Sequence, residues 1–156
     1  MQTRDFLSPL EGKIVSIEKV PDEAFSSRVM GDGFAVIVSG NNVVAPISGT
    51  VTAIYPTGHA VCIEGDSGIQ VLIHVGLDSY KVQGLNTIYA VQGQKVKQGD
   101  LLVRTNVREM KKRGIQQVSP VVFLHQEKIT LLKQDVNVAS GENSIVEISY
   151  ETEPAV

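Results

Sequence analysis

Three residues in the chain carry an imidazole, His59, His74 and His125, and two of them flank the same short turn. The run His59-Ala60-Val61-Cys62-Ile63-Glu64 leads into Gly65-Asp66-Ser67-Gly68, and Ile69 to Val75 returns with His74 near its end. Apolar stretches joined by Gly, Asp and Ser read as a β-hairpin. Residues equidistant from such a turn face each other in an antiparallel pair. Positions 59 and 74 are nearly symmetric about an Asp66-Ser67 centre, so their rings are expected to be neighbours. Two protonated imidazoles roughly 4 Å apart would repel by about 4 kcal/mol at an effective dielectric of 20. At least one is therefore expected to stay neutral and nucleophilic. Such a ring nitrogen can attack a phosphoryl group in line while the adjacent imidazole hydrogen-bonds the oxygens that gain charge, which makes phosphoryl carriage the natural chemistry.

The elements that must hold these rings read as strands. Short apolar stretches recur between glycines and polar turns: Lys13 to Glu18, Gly33 to Val38, Thr50 to Tyr55, Ala60 to Glu64, Ile69 to Val75, Leu101 to Val107, Val121 to Leu124 and Ile145 to Ser149. Their β-branched content, the 14 glycines and the lack of long amphipathic helices predict an all-β fold, an antiparallel sandwich or barrel. One short peripheral helix is expected where Asn106 can cap, Glu109 completes a capping box and Gly114 stops the helix after Lys112 and Arg113. Ser8-Pro9-Leu10-Glu11-Gly12-Lys13-Ile14 echoes Ala45-Pro46-Ile47-Ser48-Gly49-Thr50-Val51, predicting an internal duplication of two hairpin units packed face to face. If Val71, Ile73 and Val75 fill the core, Leu72 and His74 point outward together.

Composition narrows the function classes. At 156 residues the chain suits one domain, with a core over about 8–149 and a frayed tail from Tyr150 to Val156. A net charge of −3 offers nothing general to nucleic acid. The lone Cys62 can form no internal disulfide, and its apolar neighbours mark it as a small inert thiol. With no leader-like opening and no apolar run long enough to span a bilayer, a cytoplasmic protein without direct membrane insertion is expected. His125 has no partner of its type nearby and reads as an ordinary strand-end residue. Asp66-Ser67-Gly68 reads as a turn rather than a metal loop.

The strings Val44-Ala45-Pro46-Ile47-Ser48-Gly49-Thr50-Val51, Thr57-Gly58-His59-Ala60 and Leu72-Ile73-His74-Val75-Gly76-Leu77-Asp78 resemble the glucose-class enzyme IIA of the bacterial phosphoenolpyruvate-dependent sugar phosphotransferase system. Met30-Gly31-Asp32-Gly33, Gly93 to Asp100 and Ser119-Pro120-Val121-Val122 extend the resemblance across roughly Ser8 to Ser149. It implies a β-sandwich phosphocarrier that needs no cofactor and no metal. The carrier would take phosphate from phospho-HPr and pass it to a cysteine of a sugar-specific enzyme IIB. His74 would be phosphorylated, His59 would stabilise the phosphoryl group, and Thr57 would orient His59. Phe25, Val29, Met30, Tyr55 and Leu72 would form an apolar docking surface, with Gly76 and Asp78 shaping its rim. The same face could regulate transporters or metabolic kinases when unphosphorylated. Two other readings compete. One is a zinc-dependent hydrolase using the histidine pair, although catalytic zinc ordinarily needs a third protein ligand. The other is a biotinyl or lipoyl carrier, although Met110-Lys111 falls in the helical segment rather than on a hairpin.

Overall fold

β-Branched runs punctuated by glycine fold into short antiparallel strands throughout the computed structural model, which describes residues 1–151. In chain order these are β1 (Gln2–Thr3), β2 (Gly12–Ser16), α1 (Glu23–Ser26), β3 (Gly33–Val38), β4 (Asn42–Val44), β5 (Gly49–Ile54), β6 (Ala60–Gly65), β7 (Gln70–His74), β8 (Asn86–Ile88), β9 (Lys95–Val96), β10 (Leu101–Thr105), α2 (Val107–Lys112), β11 (Val118–Phe123), β12 (Lys128–Leu131), β13 (Val136–Val138) and β14 (Val146–Ser149). Two 3₁₀ turns, Ile17–Lys19 and Ser79–Lys81, complete the set. The main sheet runs β13-β2-β3-β11-β7-β6-β5-β9, flanked by the three-stranded sheets β1-β14-β12 and β4-β10-β8. The all-β expectation is met, and no helix among the described residues is long and apolar enough to cross a membrane. Of the expected frayed tail, residues 152–156 lie outside the described residues, while Tyr150 exchanges two backbone hydrogen bonds with Met1.

The duplication is visible bond by bond. Leu7 N–H donates to the Pro46 carbonyl, and its counterpart Val44 N–H donates to the Pro9 carbonyl, each at 3.0 Å. Gly141 N–H to the Ser8 carbonyl and Gly99 N–H to the Ala45 carbonyl repeat one another, both at 2.8 Å. The two units thus exchange equivalent bonds across a pseudo-two-fold axis, and their hairpins β2–β3 and β5–β6 occupy the two flanks of the main sheet. The paired glycines have one reason: a Cβ on Gly12 would stand 2.1 Å from the Ile37 oxygen, and one on Gly49 would stand 2.1 Å from the Glu64 oxygen.

Strand alternation sorts the central side chains into two apolar clusters. Ile14, Phe34, Val36, Val61, Ile63, Val71, Ile73, Val121 and Phe123 enter the main core, where Phe6, Phe34 and Phe123 pack ring on ring. Their neighbours Val15, Ala35, Ala60, Leu72 and Val122 enter a second cluster on the opposite face. That face is not open. Ile17, Val20 and Phe25, from the first 3₁₀ turn and α1, close over it. Asp22 starts α1 by accepting from the Ala24 N–H at 3.0 Å, a cap that follows directly on Pro21. The helix α2 forms between its expected ends, with the Asn106 side chain accepting from the Glu109 N–H and Gly114 left-handed beyond it, but the expected capping box is not closed: Asn106 N–H donates to the Leu85 carbonyl and the Glu109 carboxylate accepts from Arg113 instead. Lying at the edge of the sheets, it turns Val107 and Met110 inward.

Because both close approaches are to backbone, which cannot swing aside, Gly12→Ala and Gly49→Ala are each expected to cost about 2–4 kcal/mol. Urea unfolding checks this; near-neutral values would mean that the duplicated glycines are not required by sterics.

Candidate functional site

Strands β6 and β7 form the expected hairpin and bring the two histidines together, with one change of register. Ala60, not His59, is the Cα partner of His74. The turn holds Asp66, Ser67 and Gly68 between Gly65 and Ile69, which are bonded through Gly65 N–H and the Ile69 carbonyl, so its centre is Ser67. Gly68 supplies the left-handed residue, φ 99°, that a loop of this length uses. His59 therefore sits just before the strand, where its carbonyl accepts from the Val75 N–H at 2.7 Å. Its ring still reaches that of His74, with centroids 5.2 Å apart and planes at 75°.

Each ring is tethered through Nδ1. His74 Nδ1 lies 2.7 Å from the Gly76 carbonyl oxygen, and His59 Nδ1 is bonded to the Thr57 hydroxyl. A carbonyl can only accept, so neutral His74 carries its proton on Nδ1 and keeps a lone pair on Nε2. Thr57 is itself held, its carbonyl accepting from Asn86 Nδ2 at 3.1 Å. Aromatic rings wall the pair: Phe25 packs edge-on to His74 at 5.5 Å, and Tyr55 and Tyr80 flank His59 at 5.3 and 5.6 Å.

The segment that holds the pair falls within a match to a known family. A family model described as the phosphoenolpyruvate-dependent sugar phosphotransferase system, EIIA 1, covers residues 4–129. The chain belongs to this family. It is thus an EIIA phosphotransferase component. It is 39% identical over 132 residues to the glucose-specific EIICBA component of Streptococcus pneumoniae serotype 4, matching 84% of this chain and 18% of that protein. It is 37% identical over 141 residues to the β-glucoside-specific EIIBCA component of Halalkalibacterium halodurans, matching 87% of this chain and 22% of that one. The chain spans about a fifth of the length of these curated relatives. Its fold superimposes on the glucose permease IIA of Mycoplasma capricolum with a TM-score of 0.85 at 30% identity, covering 94% of this chain and 96% of that one.

Not every residue expected on the docking face of this EIIA lies open. Val29, Met30 and Tyr55 are exposed, at 78%, 40% and 46%. Phe25 and Leu72 are buried, at 7% and 6%, which corrects the expectation that they face a partner. They belong to the second cluster and form the floor under the histidines. The exposed loop is braced by Arg28, which reaches Glu18 and Asp32, each at 3.0 Å, while the other Asp32 oxygen accepts from the Ile129 N–H. Asp78 is exposed and left-handed, φ 62°, and lies 3.8 Å from the Lys81 ammonium. Gly76 is left-handed as well, φ 67°, and backs onto Gln116.

Sequence reasoning missed Tyr80, which sits on an irregular turn with no periodicity to betray it, and Asn86, on a strand of three residues. His125 is exposed and away from the pair, as read. Cys62 is half-buried, and burial pushes its thiol up, in keeping with an inert side chain. The zinc hydrolase finds no support, since among the described residues no three His, Cys, Asp or Glu side chains converge as a metal site would need.

Burial pushes both imidazoles below their ordinary range. For His59 the proximity of His74 adds to the effect. For His74 the Gly76 carbonyl, Asp22 and Asp78 oppose it without cancelling it. Both rings are therefore neutral at pH 7. An unfolded chain takes up protons first as pH falls below about 6.5, so native stability is intact above that value and declines toward the depressed native midpoints. Imidazole titration by NMR is expected to give both midpoints below about 6.5, and thermal melts on acidification should show the loss. A midpoint above 6.5 for either ring would contradict the desolvation of the pair.

Proposed function

We propose that His74 is the phosphoryl-bearing residue of this EIIA, loaded from phospho-HPr and unloaded onto a cysteine of a sugar-specific EIIB in the cytoplasm. One observation carries the reading: two imidazoles meet at 5.2 Å, both tethered through Nδ1, which leaves both Nε2 atoms for chemistry. In loading, the Nε2 lone pair of His74 attacks phosphorus. The Nε2–P bond forms as the donor's N–P bond breaks, and the departing pair stays on the donor ring. The phosphorylated ring of His74 keeps its Nδ1 proton, and the Gly76 carbonyl stabilises the positive charge that the ring gains. With the Thr57 hydroxyl donating to Nδ1, His59 presents an Nε2–H to the equatorial oxygens, over which charge is spread in the loose transition state. In unloading, a thiolate attacks phosphorus and the N–P electron pair returns to His74, and the His59 Nε2–H matters most here because the thiolate brings a negative charge toward the phosphoryl oxygens.

The exposed Val29, Met30 and Tyr55, with Tyr80 at 48%, form an apolar rim that a docking partner can cover, excluding water from the transferring group. Support for EIIB as the acceptor comes from relatives whose names place EIIA and EIIB in one component. Their proportions fit a chain that acts as one EIIA unit. The sugar is read by the partner: relatives of nearly equal identity to this chain are named for glucose and for β-glucosides.

With phosphoenolpyruvate, enzyme I and HPr, the chain is expected to gain one acid-labile phosphate, and His74→Ala to gain none. His59→Ala should accept phosphate at a rate within about tenfold of wild type, yet deliver it to EIIB roughly 100-fold more slowly, the usual weight of a lost proton-donating group. Rapid-quench kinetics of each half-reaction separates the steps, and an equal loss in both would refute the division of roles.

A further inference from the structure

The tether on His74 ends at a glycine, the residue least able to hold a carbonyl in place by itself. The structure shows what holds it. Past the end of β7 the chain runs beside the segment 116–119, where β11 begins. The Leu77 N–H, which shares a peptide plane with the Gly76 carbonyl, donates to the Gln116 oxygen at 3.1 Å. The Gly76 N–H donates to the Ser119 hydroxyl at 2.8 Å. Ser119 in turn donates to the Gln117 carbonyl at 2.9 Å. Every direction in this chain is forced. The Gln117 carbonyl can only accept, so the single proton of Ser119 points there and its lone pair faces Gly76. Ser119 is fully buried on a strand whose other residues, Val118, Pro120, Val121, Val122 and Phe123, are all apolar, a place where a hydroxyl costs stability unless it is bonded. Met110 of α2 packs beside Gly76 as well: a Cβ there would lie 3.5 Å from the methionine methyl.

We propose that Ser119 is a positioning residue for phosphoryl transfer: it fixes the N–H side of Gly76 while the Gln116 oxygen fixes the Leu77 side, and the two together set the direction of the carbonyl that holds the His74 proton on Nδ1 and keep the Nε2 lone pair aimed out of the rim. This rests on the reading of His74 as the acceptor. Without the hydroxyl the Gly76 N–H is left buried and unpaired, the glycine relaxes to find another acceptor, and the carbonyl, left with the Gln116 anchor alone, tilts with it. His74 then loses its preference for the reactive tautomer. The role is distinct from simple packing, because it acts on which ring nitrogen carries the proton.

The test uses the full chain labelled with nitrogen-15. In wild type, two-bond proton–nitrogen spectra are expected to show His74 protonated at Nδ1. In Ser119→Ala the His74 ring nitrogens should shift toward a tautomer mixture while those of His59 stay in place. Acceptance from phospho-HPr should fall about tenfold, in line with the loss of other ligand-orienting hydrogen bonds. Ser119→Thr, which keeps the hydroxyl, should restore both. Should the alanine variant not fold, Ser119→Cys keeps the shape with a weaker acceptor and is expected to shift the same signals. A folded alanine variant with a wild-type His74 signature, or an altered signature with an unchanged rate, would overturn the proposal. The ring signature is read on the unphosphorylated protein. A wild-type chain never labelled from phospho-HPr would therefore sink the functional reading, while a shifted signature would still place Ser119 in control of the His74 ring.

Discussion

A histidine can accept a phosphoryl group only while one ring nitrogen holds a lone pair, and it can do so repeatedly only if that is always the same nitrogen. In the role proposed for His74 the constraint is met by a hydrogen bond that admits no alternative, from its Nδ1 to a backbone oxygen. A free imidazole in water samples both tautomers and, near neutrality, the cation as well. The surroundings of His74 remove those choices. Desolvation suppresses the cation, the Gly76 carbonyl removes one tautomer, and the edge of Phe25 limits rotation of the ring. His59 meets the same demand by a side-chain route through Thr57, which suits a group that must donate rather than attack.

The sheet makes this possible by having two dry faces. A sheet with one face on a core and the other in water would leave His74 on a wet strand, its ring free to turn. Covering the second face costs the chain a separate segment, from Ile17 to Phe25, and brings a floor of Phe25, Leu72, Ala60 and Leu77 beneath the pair. The duplication contributes in a different way. Two equivalent hairpins, locked by reciprocal bonds at Pro9 and Pro46, fix the flanks of the sheet, so β7 and β11 meet at its centre without room to slide. It is at that meeting that the Gly76 peptide finds its acceptors.

Much of this is legible in the residues alone. The hairpin between the histidines, the alternation that sends Val71 and Ile73 inward, the ends of α2 and the repeated Pro-x-x-Gly turn each rest on a local rule, and each is met. What could not be read shares a physical cause: it depends on contacts distant in sequence. The segment that covers the second face holds a helix of four residues, too short for any 3.6-residue period to emerge, so Phe25 and Leu72 look exposed until it is in place. The register of the hairpin turned on whether the loop closes around a bond or around a residue, and only the Gly65 to Ile69 bond decides that. Strands such as β1, β8, β9 and β13 have two or three residues each and are defined by their partners, not by their composition. Tyr80 and Asn86 reach the site from such segments.

The separation between floor and rim has a consequence for how such a carrier can change over time. Phe25 and Leu72 lie in the second cluster, so altering them disturbs the fold and the chemistry together. Val29, Met30, Tyr55 and Tyr80 stand clear of it, on loops braced from behind. Under the proposed role, mutational drift at these outer positions can recast the choice of partner while the histidine pair and its supports are inherited intact.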